Sequence, residues 1–409
     1  MPFDPKQFYR KMESLLAEID ATEDTDQLLE TVLDKLVQTF GEELLIHNGR
    51  LYIGEGDGFV LTKTITENED NLIGLKIPLS YPPMQLLLQN RMYIYDQSTP
   101  GLDSQLEERL GGVFSVAILV AGPDHQYILA FGLREGWNRE ILEFSLNTIR
   151  NLINHRFVEV RFQSKLMEAK EIQQSLLPPP QYSFYGFDIY ASSIPAEEVG
   201  GDFYDFIPIT GQNLGIAIGD SSGHGLTAAL QVRDVVTGLR MGIEKDFKVT
   251  SVIERLNRVI HKSSLSTRFI SLFFGELDEN GDLFYINAGH VPPILFDTGT
   301  VSTLTVGGLP LGPTPESNYR RGYVHLNPGS ILLCYTDGIE ERSNAKKVQF
   351  GVERITRLVQ EKMDLSSELL VQSVMDEADI FGQKAEWDDD ATVIAIKRTG
   401  QEVCSEGIL

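Results

Sequence analysis

Cysteine is scarce in this sequence, and long apolar runs are absent. Only two cysteines, Cys334 and Cys404, occur among 409 residues. They can build neither a disulfide framework nor a cysteine-based zinc site, which fits a reducing cytoplasm. No apolar run reaches the length of about 20 residues that a membrane-spanning helix needs. The charged N-terminal segment also has no apolar signal core, so we expect a soluble cytoplasmic protein without a membrane segment.

Basic residues are few as well, because 35 Lys and Arg residues stand against 59 Asp and Glu residues and give a net charge of −24. A surface this negative repels nucleic-acid phosphates and anionic lipids, so we expect neither nucleic acid nor a membrane as a partner. The same surface suits the collection of divalent cations, although acidic surfaces commonly serve only solubility.

The N-terminal part of the chain has the pattern of a mixed α/β domain. Residues 25–39 are predicted to form a helix with one apolar face. That face consists of Leu28, Leu29, Val32, Leu33, Leu36 and Val37. Strand-like segments and a closing helix follow, so we expect an α/β or α+β domain. None of these segments has the spacing of a catalytic motif.

Two stretches of this domain follow a recognisable pattern of strands and helices. They are "IPLSYPPMQLLLQNRMYIYDQST" and "SVAILVAGPDHQYILAFGLREGWNREILEFSLNTIRNL". The first resembles the strand, helix and strand-plus-Asp segment of GAF-type sensor domains, and the second resembles their last two strands and final helix. The resemblance implies a sensor for an unknown small-molecule or protein signal. A domain used only for dimerisation and a cyclic-nucleotide receptor are the alternatives.

A long helix is predicted from about Glu140 to Leu177. Its apolar positions step by four and three and then shift to a second seam. They are Leu142, Leu146, Ile149, Ile153, Phe157 and Val160, followed by Leu166, Ala169, Ile172 and Leu176. This stripe predicts a parallel two-stranded coiled coil with a register change, and hence a homodimer. The alternative is a helix that packs on its own domain. The prolines at 178–180 end the helix because proline lacks the N–H donor.

The second predicted domain contains strands of alternating pattern and two helix pairs. This combination predicts a β-sandwich with helices on both outer faces. The expected fold class is therefore α+β. We predict a GAF-like sensor at 1–140, a helical coiled-coil linker at 141–180, the sandwich at 181–398 and a tail at 399–409.

Four aspartates, Asp202, Asp220, Asp337 and Asp389, lie where predicted strands stop or begin. A single one of them is ordinarily a turn residue, because Asp side chains bond to nearby backbone N–H groups. Four together need cations, since desolvating an unpaired carboxylate costs several kcal/mol. Hard oxygen ligands without histidine or thiolate indicate Mg²⁺ or Mn²⁺ rather than zinc.

Five motifs surround these aspartates in the order "PAEEVGGDFYDF", "IGDSSGHGLTAAL", "INAGHVPPILF", "LCYTDGIEER" and "WDDDATVIAI". Together they resemble the metal-dependent PPM serine/threonine phosphatases of the bacterial SpoIIE and RsbU type, over essentially the whole C-terminal half. The "GGDF" of the first motif also suggests a diguanylate cyclase. That interpretation fails because Phe203 and Tyr204 stand where a cyclase needs a further acidic pair.

The resemblance implies two divalent cations, Mn²⁺ or Mg²⁺, at the motif positions. Asp220 would bridge both ions. Asp202 and the backbone carbonyl of Ser221 would hold one ion, and Asp337 and Asp389 would hold the other.

Three further residues lie within these motifs, and a fourth, Arg268, lies in the separate stretch "STRFISLF". His224 is a candidate proton donor to the leaving serine oxygen, with a structural turn residue as the alternative. His290 is expected to pack the loop near the site, and Asp205 to lie behind the metal site or in solvent. Arg268 is the candidate arginine for contact with the substrate phosphate, although no arginine is required by the sequence for this role.

The implied function is dephosphorylation of phosphoserine or phosphothreonine, with the sensor controlling catalysis through the dimerising helix. By resemblance, the substrate is a phosphorylated anti-sigma-factor antagonist of the STAS type, and its dephosphorylation triggers a partner switch. A docking module that binds a phosphoprotein with incidental or no turnover is the alternative from a different class of function.

Overall fold

The computed structural model describes residues 5–17, 25–65, 72–110, 112–122, 124–223, 225–243, 248–262 and 269–399. The chain divides into two compact units, Met1–Lys165 and Leu166–Leu409. Among the helices of the described ranges, none is both long and apolar enough to cross a bilayer.

The first unit is an antiparallel sheet with helices on both faces. Its strands are β1 (Ile46–Glu55), β2 (Gly58–Thr64), β3 (Lys76–Pro78), β4 (Met92–Tyr95), β5 (Ser115–Ala121) and β6 (Gln126–Leu133). Its helices are α1 (Pro5–Ala17), α2 (Thr25–Phe40), α3 (Pro82–Asn90), α4 (Ser104–Arg109) and the first turns of α5 (Arg139–Gln174). The described strands pair in the order β3-β2-β1-β6-β5-β4. Side chains of β5 alternate between two cores: Val116 and Ile118 pack with α2 and α5, whereas Ala117 packs with α3.

The two helices predicted in the N-terminal part of the chain are α2 and α5. Both bury their apolar faces in the core that contains Val116 and Ile118. In α2, the predicted face is buried except for Val37, which is half-buried. In α5, the buried residues include Leu142, Leu146, Ile149, Ile153 and Phe157, all in the core of the first unit. The part of the predicted coiled-coil seam from Leu142 to Phe157 therefore packs within one chain. A helix that packs on its own domain is the alternative that the sequence left open. Phe144, Val158 and Phe162 are exposed.

The second unit consists of two stacked sheets between two helical layers. Its strands are β7 (Gln181–Phe184), β8 (Phe187–Ile194), β9 (Asp202–Thr210), β10 (Asn213–Ser221), β11 (Ile270–Asp278), β12 (Asp282–Ala288), β13 (Ile294–Asp297), β14 (Thr300–Thr303), β15 (Gly307–Gly308), β16 (Gly322–His325), β17 (Ile331–Tyr335) and β18 (Ala391–Arg398). Its helices are α6 (Leu226–Ile243), α7 (Val249–Lys262), α8 (Asp337–Glu340), α9 (Val352–Glu361) and α10 (Ser367–Phe381).

One sheet has the order β15-β12-β11-β10-β9, with β16 paired to β12, and the other has the order β14-β13-β17-β18-β8-β7. Period-two alternation explains the layers. In β10, Ile216 and Ile218 lie between the sheets while Ala217 faces α6 and α7. In β17, Cys334 lies between the sheets while Leu333 faces α9 and α10. The predicted sandwich with helices on both outer faces is confirmed. Cys404 lies outside the described residues.

Candidate metal centre

Asp202 and Asp220 face each other across two neighbouring strands. Asp202 begins β9, Asp220 is the penultimate residue of β10, and the antiparallel register pairs them directly. Side chains of directly opposed residues have Cβ atoms about 5 Å apart, and like charges in this position are destabilising. The pair therefore needs protons or a cation to compensate its charge.

Asp337 and Asp389 meet at the end of the other sheet. Asp337 begins the short helix α8, with one residue between it and the end of β17, rather than ending the strand as the sequence suggested. Asp389 lies two residues before β18. A Cβ atom at Gly338 would lie 2.0 Å from the carbonyl oxygen of Asp390 and 3.3 Å from that of Asp389. Only glycine therefore permits the two backbone segments to approach this closely.

The electrostatics show that these carboxylates influence one another. Burial, followed by the negative charges of Asp337, Asp389 and Asp390, raises the pKa of Asp220 to about 7. Burial and then the charge of Asp220 raise the pKa of Asp202 well above its usual range. Burial and then the charge of Asp389 raise the pKa of Asp337. Strand ends from both sheets therefore contribute to one field of negative charge.

The basic side chains of the described residues do not neutralise this field. Within the part of the chain that the structure describes, no Lys or Arg forms an ion pair with Asp202, Asp220, Asp337 or Asp389. An added cation would therefore relieve the repulsion between these carboxylates. Carboxylate oxygens are the ligands that Mg²⁺ and Mn²⁺ prefer.

The space around Ser221 fits the same ions. A Cβ atom at Gly201 would lie 2.7 Å from the carbonyl oxygen of Ser221 and 3.2 Å from Oδ1 of Asp220. The glycine thus leaves a small space bounded by two oxygen atoms. The Ser221 hydroxyl donates to Oε1 of Gln231 at 2.6 Å, so the backbone carbonyl is the group of Ser221 that suits a metal.

The described side chains do not surround a metal ion completely. No group of three or more His, Cys, Asp or Glu side chains in the described ranges is arranged to hold one metal ion. Mg²⁺ usually keeps several waters and needs only one or two carboxylates from the protein. The pairwise arrangement of the aspartates suits that mode of binding.

Neutral donors hold the acidic residues in place. The hydroxyl of Thr336 donates to Oδ2 of Asp202 at 2.7 Å and accepts from the backbone N–H of Thr392 at 2.9 Å. Asp390 accepts from the backbone N–H of Ala196 at 2.7 Å and also from that of Gly201. Asp390 thereby anchors the loop that leads to Asp202. This role of Asp390 was not predicted from the sequence, although consecutive aspartates before a strand must point to different sides.

The end of α5 contacts the same loop. Nε2 of Gln173 donates to the carbonyl oxygen of Gly200 at 2.5 Å, and the N–H of Gly200 donates to Oε1 of Gln173 at 3.1 Å. Lys170 pairs with Glu198 at 2.9 Å. No motif in the sequence indicated these contacts.

The predictions for His224, Arg268, His290 and Asp205 have different outcomes. His224 and Arg268 lie outside the described residues. His290 is buried near the site: its Nδ1 is 2.7 Å from Oγ of Ser271, which pairs with Asp220 across β10 and β11. Burial lowers the pKa of His290 to about 4, so the ring is neutral. Asp205 is buried and accepts two hydrogen bonds from Arg240, at 2.8 and 2.9 Å.

A cavity of about 280 Å³ opens beside the aspartates. Its lining consists of Ala196, Glu197, Asp220, Gly223, Trp387, Asp388 and Asp389. Asp220 comes from one sheet and Asp389 borders the other, so a small anionic group bridged by cations would have access to both.

Residues 210–399 match the protein family described as Stage II sporulation protein E (SpoIIE). Two relatives are phosphoserine phosphatases of Bacillus subtilis (strain 168). RsbU is 27% identical over 248 residues, which cover 59% of this chain and 72% of RsbU. RsbP is 27% identical over 179 residues, which cover 42% of this chain and 44% of RsbP. The chain therefore spans less than half the length of RsbP.

A solved structure supports the fold. The SiaA-PP2C domain of Pseudomonas aeruginosa matches with a TM-score of 0.52 and 18% identity, over 59% of this chain and 97% of that domain. At this level of identity the match shows the fold alone.

Proposed function

We propose that the second unit is a PP2C-type phosphatase domain of the SpoIIE family, which residues 210–399 match, and that the protein is a metal-dependent protein serine/threonine phosphatase. One observation carries the proposal. Asp202, Asp220, Asp337 and Asp389 meet at the strand ends of two sheets, and no ion pair in the described residues neutralises them. This arrangement fits a site for divalent cations.

When bound, a pair of Mg²⁺ or Mn²⁺ ions supplies a nucleophile at neutral pH and neutralises charge on the phosphoryl oxygens. Asp220 would contact both ions because it interacts electrostatically with Asp202 on one side and with Asp337 and Asp389 on the other. The carbonyl of Ser221 would join Asp202 at the first ion.

Other residues of the chain position these groups. Thr336 holds the Asp202 carboxylate by a hydrogen bond of 2.7 Å. The cavity beside Asp220 and Asp389 is the entry for the phosphoryl group. His224 follows Gly223, which lines that cavity, and we assign it as the candidate proton donor to the leaving serine oxygen.

The substrate and its control form the finer part of the proposal. Similarity to RsbU and RsbP supports a phosphoserine protein as substrate, and we propose a STAS-type anti-sigma-factor antagonist in a cytoplasmic partner-switching pathway. We further propose that the first unit is a GAF-like sensor and that the protein acts as a homodimer. The contacts of Gln173 and Lys170 with the Glu198–Gly200 loop support control through α5.

The first test is hydrolysis of p-nitrophenyl phosphate with and without Mn²⁺. Asp220→Asn should reduce metal-dependent turnover by about 100-fold or more, the order seen when stabilisation of transition-state charge is lost. Asp376→Asn is the matched control, because Asp376 is exposed on α10, a helix of the outer layer. Equal turnover in wild type and Asp220→Asn would refute the assignment of the metal centre.

A phosphorylated STAS-domain protein tests the substrate class and the docking alternative. Release of phosphate from its serine by wild type, but not by Asp220→Asn, would support the proposal. Tight binding of the phosphoprotein without turnover, in the full chain and in residues 181–398 alone, would favour a docking module.

A further inference from the structure

Arg342 is a buried arginine close to the metal centre. It lies five residues after Asp337, just beyond α8, and only 2% of its surface is exposed. Its closest carboxylate within the described residues is Asp379, at 3.9 Å. A guanidinium buried without a close carboxylate is costly, so its other contacts need an explanation.

Those contacts all converge on one segment. Nη1 donates to the carbonyl oxygen of Glu386 at 2.6 Å, and Nη2 donates to that of Ala385 at 2.5 Å. The guanidinium carbon lies 4.5 Å from the centre of the Trp387 ring, within cation–π range. Asp389, a candidate metal ligand, lies only two residues beyond Trp387.

The end of α10 leaves room for this guanidinium. A Cβ atom at Gly382 would lie 2.1 Å from Nε of Arg342 and 2.5 Å from its Cζ. The φ angle of Gly382 is −74°, which any residue can adopt. Glycine is therefore needed at this position for space and not for its backbone conformation.

We propose that Arg342 is a positioning residue that fixes Asp389 relative to Asp337. Its backbone continues the segment of Asp337, and its side chain holds residues 385–387, which lead into Asp389. The same contact places Trp387 in the wall of the cavity that contains Asp220 and Asp389. This inference rests on the proposed metal-dependent activity and adds a residue that sets the affinity of the site for its cation.

Trp387 provides a readout other than activity. The sequence contains two tryptophans, Trp137 and Trp387, so Trp137→Phe leaves Trp387 as the only indole. In this background, the fluorescence emission of Trp387 reports Mg²⁺ binding. Hydrolysis of p-nitrophenyl phosphate is measured in parallel.

The variant is Arg342→Lys, which keeps the charge but loses the planar fork. Arg354→Lys is a matched control. Arg354 donates to the carbonyl oxygens of Gln349 and Phe350 at 3.0 and 2.6 Å and lies 4.6 Å from the Phe381 ring, so it makes the same kinds of contact away from residues 385–389. We expect Arg342→Lys to weaken Mg²⁺ binding about 10-fold to 100-fold, the usual effect of losing a group that orients a metal ligand. Arg354→Lys should leave it unchanged.

An unchanged Mg²⁺ midpoint in Arg342→Lys would overturn the inference, and so would equal shifts in both lysine variants. If Arg342→Lys does not fold, the Gly382→Ala variant tests the inference instead. Its added methyl group displaces the Arg342 guanidinium from the side of α10 and should also weaken Mg²⁺ binding. An unaltered Mg²⁺ midpoint would refute the role of Arg342. A wild-type protein with neither a Mg²⁺ response nor metal-dependent turnover would instead refute the proposed function, and the inference would fall with it.

Discussion

Replacement of Gln173 by alanine should weaken cation binding without unfolding the second unit. The Gln173 amide makes two hydrogen bonds to the backbone of Gly200, at 2.5 and 3.1 Å. Gly200 lies two residues before Asp202. Loss of both bonds would free the loop that positions this carboxylate, while the buried core of the sandwich keeps all its contacts.

The size of the effect follows from the two bonds. Each contributes about 1 kcal/mol net, so both together contribute about 2 kcal/mol. If all of this free energy holds Asp202 in its binding position, the affinity for the cation falls about 30-fold, and if half of it does, the fall is about 5-fold. Hydrolysis of p-nitrophenyl phosphate against Mn²⁺ concentration should show a higher Mn²⁺ midpoint and a nearly unchanged rate at saturation.

Gln174→Ala is the matched control for this prediction. Gln174 is the next residue on α5, carries the same amide and is exposed. If the Mn²⁺ midpoints of the two variants agree within about twofold, which corresponds to less than about 0.5 kcal/mol, the contact does not position Asp202. A loss of folded protein in Gln173→Ala, measured by urea unfolding, would contradict the assumption that the effect is local.

Three further predictions concern buried groups of the second unit. Burial lowers the pKa of His290 to about 4 from its usual 6.5, so the unfolded chain binds this proton first as the pH falls. Relative to His290→Gln, wild type should therefore lose about 2 kcal/mol of unfolding free energy between about pH 7 and 5. The free energies come from urea unfolding at each pH, and an equal pH dependence in the two proteins would contradict the prediction. Arg240→Ala leaves the Asp205 carboxylate buried without its arginine partner and should lower the free energy of unfolding by about 3 kcal/mol in the same assay. A decrease below about 1 kcal/mol would mean that water replaces the guanidinium. Gly338→Ala places a Cβ atom 2.0 Å from the carbonyl oxygen of Asp390. It should therefore lower the free energy of unfolding by about 1 to 3 kcal/mol and abolish turnover. Full activity would refute the close approach of the segments that contain Asp337 and Asp389.

The sandwich and its strand-end aspartates could be predicted because their signals are local. In β10, alternation of Ile216, Ala217 and Ile218 marks the two faces of a strand without reference to any partner. Asp220 ends the same run, where an unpaired charge is costly. Each such position is recognisable within about ten residues of sequence, which matches the length of one strand.

The partners of the aspartates could not be predicted because they depend on contacts between distant segments. Asp390 bonds to Ala196, and Thr336 bonds to Asp202, across sequence separations of 194 and 134 residues. Gln173 meets Gly200 only after the helix and the loop are placed. No local pattern distinguishes these residues from ordinary polar surface residues.

The stripe on α5 shows a different limit. Leu142, Leu146 and Ile149 repeat by four and three, and this spacing is shared by a helix on a sheet and a helix in a coiled coil. The sequence therefore left both possibilities open, and in this chain these residues pack in the core of the first unit. A dimer through α5 would need its other face, where Val158 and Phe162 are exposed.

The way in which the aspartates are held bears on why the site suits a cation. Asp202 is oriented by the hydroxyl of Thr336, and Asp390 by backbone N–H groups. These donors are neutral, so they fix the positions of the carboxylates without removing the negative charge of the site. A lysine or arginine in the same place would have stabilised the unit but would also have competed with the metal. Neutral donors therefore leave the repulsion between Asp202 and Asp220 in place. A divalent cation at the proposed site would relieve this repulsion, and its binding would therefore be favourable.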